Sequence, residues 1–215
     1  MKKQILNSFL LLFFCMQAFA QSAKYAEAMK TQIEKLSAAN TQADYLQSAN
    51  SFERIASAEK TEWLPFYYIG YALVMNAYME KDPSKIDPLC DRADEALAKA
   101  DALAPNNSEI TTVQAMVATA RMMVDNSRAM TLGPKASGML QKAMAQAPQH
   151  NPRAMMNLAQ NLYYTPEAFG GSKQKAMELM EKALAAYDSF QPETPLHPNW
   201  GKGYVAKTLN EWKGK

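Results

Sequence analysis

Two cysteines, two histidines and eight glycines are all that the 215 residues contain of three types that often build metal centres, catalytic sites and tight turns. Cys15 lies in the apolar N-terminal stretch, so Cys90 stands alone beyond it. One thiol cannot close an internal disulfide and is too few for a cysteine-rich zinc site. His150 and His197 both sit in proline-flanked connections, Pro148-Gln149-His150-Asn151-Pro152 and Pro195-Leu196-His197-Pro198. Neither has a second imidazole, thiol or carboxylate pair at ligand spacing. A catalytic histidine needs an orienting partner, so both read as turn residues.

Charge of one sign is missing too. There are 23 Lys and Arg against 21 Asp and Glu, and Lys2 and Lys3 belong to the leader, so the remainder is formally neutral. A chain with no basic surplus cannot neutralise a run of phosphates, which argues against nucleic acid as a partner. Runs of β-branched residues are almost absent, and no stretch beyond the leader is apolar enough over about 20 residues to span a bilayer. The inventory supplies no catalytic residue, metal site or cofactor site, and the expectation is a protein that is not an enzyme.

The leader itself is legible. Lys2 and Lys3 precede an apolar run through Phe9-Leu10-Leu11-Leu12-Phe13-Phe14, and Ala18-Phe19-Ala20 offers a small-x-small cleavage site. Residues 1–20 therefore read as a signal peptide and 21–215 as one exported, periplasmic domain. Lipid anchoring at Cys15 is disfavoured, because Phe13 and Phe14 stand where a lipidation site wants small residues.

What is plentiful is alanine, and its placement organises the chain. Ala96-Leu97-Ala98-Lys99-Ala100-Asp101-Ala102-Leu103-Ala104-Pro105-Asn106-Asn107 reads as a helix end, a proline stop and a cap for the next helix. Weaker copies run from Met139 to Pro148 and from Leu179 to Pro192. Ala56, Ala100, Ala143 and Ala183 recur at a spacing of roughly 40 residues, with Ala72, Met116 and Ala159 as their counterparts on partner helices. Small residues at such positions let helix axes approach closely, so the pattern predicts about four helical hairpins stacked in one domain.

Helices are expected over 24–38, 42–58 and 62–80, the last capped by Thr61. Further helices start at Asp82-Pro83 or Asp87-Pro88, at Asn107-Ser108, at Gly133-Pro134, at Asn151-Pro152 and after Gly170-Gly171-Ser172. A polar, proline-rich loop precedes a final helix over 200–213. The helix from Trp63 is apolar or aromatic around most of its circumference, which places it between neighbours. Its tyrosines suggest one edge near solvent, with Tyr68 and Tyr78 as candidate anchors for a partner, since tyrosine gives contact area at little entropic cost.

Other features have an ordinary reading. The acids Asp91, Asp94 and Glu95 fall between apolar positions and read as a solvated face. Gly170-Gly171-Ser172-Lys173 opens a helix whose first turn carries Lys173 and Lys175, a charge that an anion on the free N–H groups would relieve. The plain alternative is a glycine turn capped by Ser172. Of the 15 methionines, Met122-Met123 and Met155-Met156 are adjacent pairs whose members are not expected to share one core. They fill irregular interfaces or offer a repackable groove.

The segment Ala96 to Asn107 resembles the end of a tetratricopeptide repeat, with a period longer than the roughly 34 residues of the regular form. Asn50-Ser51-Phe52-Glu53-Arg54-Ile55-Ala56, Glu62 to Tyr68, Tyr164 to Ser172 and Pro198-Asn199-Trp200-Gly201 are similar to secreted, uncharacterised repeat proteins of Bacteroidetes-like bacteria. The resemblance implies an all-α, right-handed helical-hairpin solenoid that binds a protein or peptide partner on its concave face. The Phe169-Gly170-Gly171 turn is also similar to the T-component of TRAP-type transporters, which implies instead an accessory protein for a solute or lipid.

Overall fold

A computed structural model describes residues 23–147 and 151–214. The expected signal peptide, Cys15 and His150 lie outside those residues. Among the described residues the chain is helical, without a strand. Helix α1 covers residues 23–37, followed by α2 (Gln42–Ala58), α3 (Trp63–Met79), α4 (Pro83–Leu103) and α5 (Ser108–Arg121). Then come α6 (Ala129–Gln146), α7 (Pro152–Tyr164), α8 (Lys173–Ser189) and α9 (Lys202–Lys213).

The helix starts follow from local chemistry. Thr41 and Asp44 form a reciprocal capping box on α2. Asp82, Asn107, Asn151 and Ser172 each accept a backbone N–H at the start of α4, α5, α7 and α8. Two expected starts move. No side chain caps α3, whose N-cap position falls on Glu62 and not on Thr61. Helix α6 begins at Ala129, ahead of Gly133-Pro134, because Asp125 caps a short 3-10 turn over Asn126–Arg128 that feeds directly into it. Pro134 removes only the bond to the Met130 carbonyl, and Met130 is 64% exposed, so water can satisfy that oxygen.

The alanine period holds in three dimensions. Ala56, Ala100, Ala143 and Ala183 are all buried, as are Ala72, Met116 and Ala159 opposite them. From α2 onward each helix packs on its sequence neighbours, and α5 also touches both α3 and α7 to form an inner row. Gly70 shows how near the axes come. A Cβ at that position would lie 2.6 Å from Leu97 Cγ, so α3 and α4 meet where α3 has no side chain. Helix α5 is enclosed on most sides, and Thr111 and Thr112 are buried beside Ile110 and Val113. Met155 and Met156 are both buried in one apolar cluster with α8 and α9 residues, contrary to expectation, because α7 is covered on more than one side. The acids of α4 lie on a solvated face as expected, with Asp91, Asp94 and Glu95 all exposed. Arg121 of α5 reaches Asp91 at 2.7 Å and Asp94 at 2.8 Å. Asp87, weighed as a cap, instead takes Arg121 and Arg128.

The proline-rich loop is the largest surprise. Residues 190–201 run back across α3 as a strap, covering the tyrosine edge that the sequence placed near solvent. The Tyr68 hydroxyl donates to the Leu196 carbonyl at 2.8 Å, and the Trp200 indole N–H donates to the Tyr67 oxygen at 2.9 Å. Trp200 stacks on Tyr71 with centroids 4.5 Å apart, and His197 sets its ring against Trp63. Gly201 has a φ of 110° and sits against the Tyr187 hydroxyl, where a Cβ would collide.

Candidate functional site

The most site-like concavity lies where α2 and α4 form walls and α3 the floor. It encloses about 720 Å³, within the roughly 300–1,000 Å³ typical of small-molecule sites. Its apolar lining is Phe66 and Ile69 on the floor with Ala56, Ala96 and Leu103 on the walls. Leu103 is 40% exposed and Phe66 half-buried, so a ligand can reach them. Glu53 of α2 and Arg92 of α4 pair at 2.9 Å and bridge the walls at one end. Lys60, in the turn after α2, and Lys99 of α4 flank the other end. The Lys99 ammonium lies 5.9 Å from the Phe66 ring centroid. The arrangement suits an apolar, flat body with anionic groups on one edge. The lining holds no imidazole, thiol or phenol.

A second cavity, of about 570 Å³, opens between the starts of α5 and α7. Its lining is polar and largely uncharged, with Asn106, Gln146, Asn151 and Gln191 beside Glu109. Glu109 is already held by Arg153 and Asn151.

The residues expected to form sites are scattered. Tyr68 is 2% exposed, stacked on Phe52 and bonded to the strap, so it presents no free surface to a partner. Tyr78 is half-buried and its hydroxyl donates to the Met116 carbonyl at 2.9 Å. Burial pushes both phenols above their ordinary range. At Gly170-Gly171-Ser172-Lys173 most of the N–H groups are already used. Gly170 donates to Glu167, Gly171 to Pro166 and Ser172 to Leu162, while Ser172 Oγ accepts from Lys175 N. The turn is built from glycine because Gly170 has φ of 88° and a Cβ on Gly171 would overlap the Thr165 carbonyl. Lys173 extends over the Tyr163 ring.

Cys90 is buried on α4, where desolvation pushes its thiol up to about 12 and keeps it unreactive. His197 donates or accepts through Nδ1 with Thr194 Oγ1 at 2.8 Å, and burial lowers its pKa against the opposing pull of Glu193 and Glu109. It faces Trp63 and not a cavity.

No family profile matches the chain, and no curated protein matches it by sequence. A solved structure does. The HusA haemophore from Porphyromonas gingivalis is 34% identical, with a TM-score of 0.81 over 88% of this chain and 93% of that one. The chain belongs to the HusA haemophore family. That likeness, spanning nearly both proteins, is to a binding protein and not to an enzyme. It supports the all-helical architecture throughout. Among the described residues no helix is long and apolar enough to cross a membrane, and no group of three or more metal-ligating side chains forms.

The groove was missed in the sequence for a specific reason. Only the folded hairpins place Lys60 and Lys99 on opposite walls of one concavity. The available signal was paired spacing: Lys60 follows Glu53 as Lys99 follows Arg92, by about two helical turns in each case.

Proposed function

We propose that the protein is an exported, non-enzymatic carrier that binds haem or a related tetrapyrrole in the α2–α3–α4 groove. The whole-length likeness to a haemophore carries this reading. The groove supports it chemically. A porphyrin offers two broad apolar faces and two carboxylates on one edge, and the groove offers an apolar floor with ammonium groups at one end. Its lining contains no thioether, imidazole, thiol or phenol to ligate iron, so recognition there would be of the macrocycle and its acids.

A protein or peptide partner on the concave face, implied by the repeat resemblance, would have to displace the strap, which Tyr67, Tyr68, Tyr71 and Tyr187 all hold. The leader at 1–20 and periplasmic export fit a carrier that meets its cargo outside the cytoplasm. The test is a spectroscopic titration of the protein, freed of residues 1–20, with haemin and with metal-free protoporphyrin IX. Saturable Soret shifts near one equivalent, with dissociation constants in the roughly micromolar range or tighter, are expected. A linear, unsaturable rise for both would overturn the reading.

A further inference from the structure

We infer that the groove selects its ligand by two carboxylates on one edge of an apolar ring, with Lys60 and Lys99 as the residues that hold them. The inference rests on the tetrapyrrole reading and names what, within it, decides specificity.

The argument starts from which charges are spent. Arg92 is neutralised by Glu53 at 2.9 Å, and that bridge joins the two walls and closes one end of the groove to a bulky acid. At the other end the ammonium groups of Lys60 and Lys99 enter no ion pair among the described residues. Glu95 stands one helical turn before Lys99 on the same wall, yet Lys99 turns away from it to lie over Phe66. A cation resting on an aromatic ring without an acid partner is held weakly, since such contacts contribute about 0.5–1 kcal/mol at exposed sites.

Charge and shape therefore run along the same axis. Lys99 lies two helical turns beyond Arg92, roughly 10 Å along α4. Between the bridge and the lysines the accessible apolar surface is chiefly Phe66, backed by the buried Ile69, Ala56 and Ala96. A ring that slides over Phe66 takes the place of the Lys99 ammonium on that face. The displaced ammonium then swings to the ring's acidic edge, while Lys60 meets the second acid from the opposite wall. A single charge-assisted contact would fix only one corner of the ligand. Two, from opposite walls, fix its in-plane orientation and favour a free dicarboxylic acid over its ester.

The experiment uses deuteroporphyrin IX and its dimethyl ester as probes, each titrated by absorbance into wild type, Lys60→Gln, Lys99→Gln, the double variant and a control Lys207→Gln on α9. Circular dichroism melts establish that every variant folds, as expected for substitutions of exposed lysines. Each single change should weaken the free acid by about three- to tenfold and the double by at least about tenfold. The ester should bind all five proteins alike and more weakly than the acid binds wild type. Control and wild type should coincide. Wild-type affinity for the acid in the double variant, or equal affinity of wild type for acid and ester, would overturn the inference while leaving tetrapyrrole binding intact. No binding of either probe by wild type would overturn both.

Discussion

The fully buried guanidinium of Arg153 on α7 donates to the Glu109 carboxylate on α5 through Nε at 2.7 Å and Nη2 at 2.6 Å. Burial opposes the charge on Arg153, but the Glu109 carboxylate outweighs it and keeps the guanidinium protonated. Phe190 of the strap covers the guanidinium carbon at 4.3 Å, so three separate segments meet on one ion pair.

Arg153→Met should therefore be costly for what it leaves behind. The Glu109 carboxylate would remain in a site built to be neutral, a loss of about 3–5 kcal/mol. Adding Glu109→Gln should restore part of that stability. Urea denaturation of both single variants and the double reads the coupling, and a double variant equal to the sum of the singles would show that there is none.

Gly70→Ala probes the approach of α3 to α4. The new methyl meets Leu97 Cγ at 2.6 Å, and the expected loss from overpacking is about 1–3 kcal/mol. Combined with Leu97→Ala, it should cost less than the two changes added together, because the smaller side chain makes the room that the methyl needs. Thermal melts of the four proteins decide it.

The pH dependence of stability should carry a signature of His197. Its pKa in the folded protein is lowered below the ordinary 6.5, so the unfolded chain binds the extra proton first. The contribution is fully present above about pH 6.5 and is lost as pH falls through the lower folded value. Denaturation midpoints measured between pH 7.5 and 5 should decline, and His197→Gln should flatten that decline. The lowered carboxylates of Asp44, Glu80 and Asp82 titrate further into acid and do not contribute in that window.

Tyr68 belongs to the fold. Tyr68→Phe removes the bond to the Leu196 carbonyl and should cost about 1 kcal/mol. Tyr68→Ser also empties the space beside Phe52 and should cost about 3–5 kcal/mol. Equal stability of the two variants in denaturant would show that the ring packs less tightly than its burial indicates.

The hairpin pattern was legible because it is local. Caps such as Asn107 and Asn151 act within three residues, and the alanine period needs only a count along the chain. The strap was not legible for the opposite reason. Residues 190–201 have no helical period, and their partners on α3 are fixed by side chains far away in sequence. Tyr68 therefore read as an exposed anchor when it was half of a tertiary hydrogen bond. The groove lysines failed the same way. Their meaning depends on which helices become neighbours, and a single exposed lysine carries no such information.

The strap also changes what kind of object the solenoid is. In an open array each unit touches only the next, and units can be added or removed nearly independently. Here Tyr68 is bonded to a residue 128 positions later, and Tyr67 to one 133 positions later. The two halves of the array are tied together, so loss of the last segment would bare the aromatic edge of α3 at the other end of the chain. Helix α3 can reach its native surroundings only after residue 200 has been made. The strap closes the array into a loop.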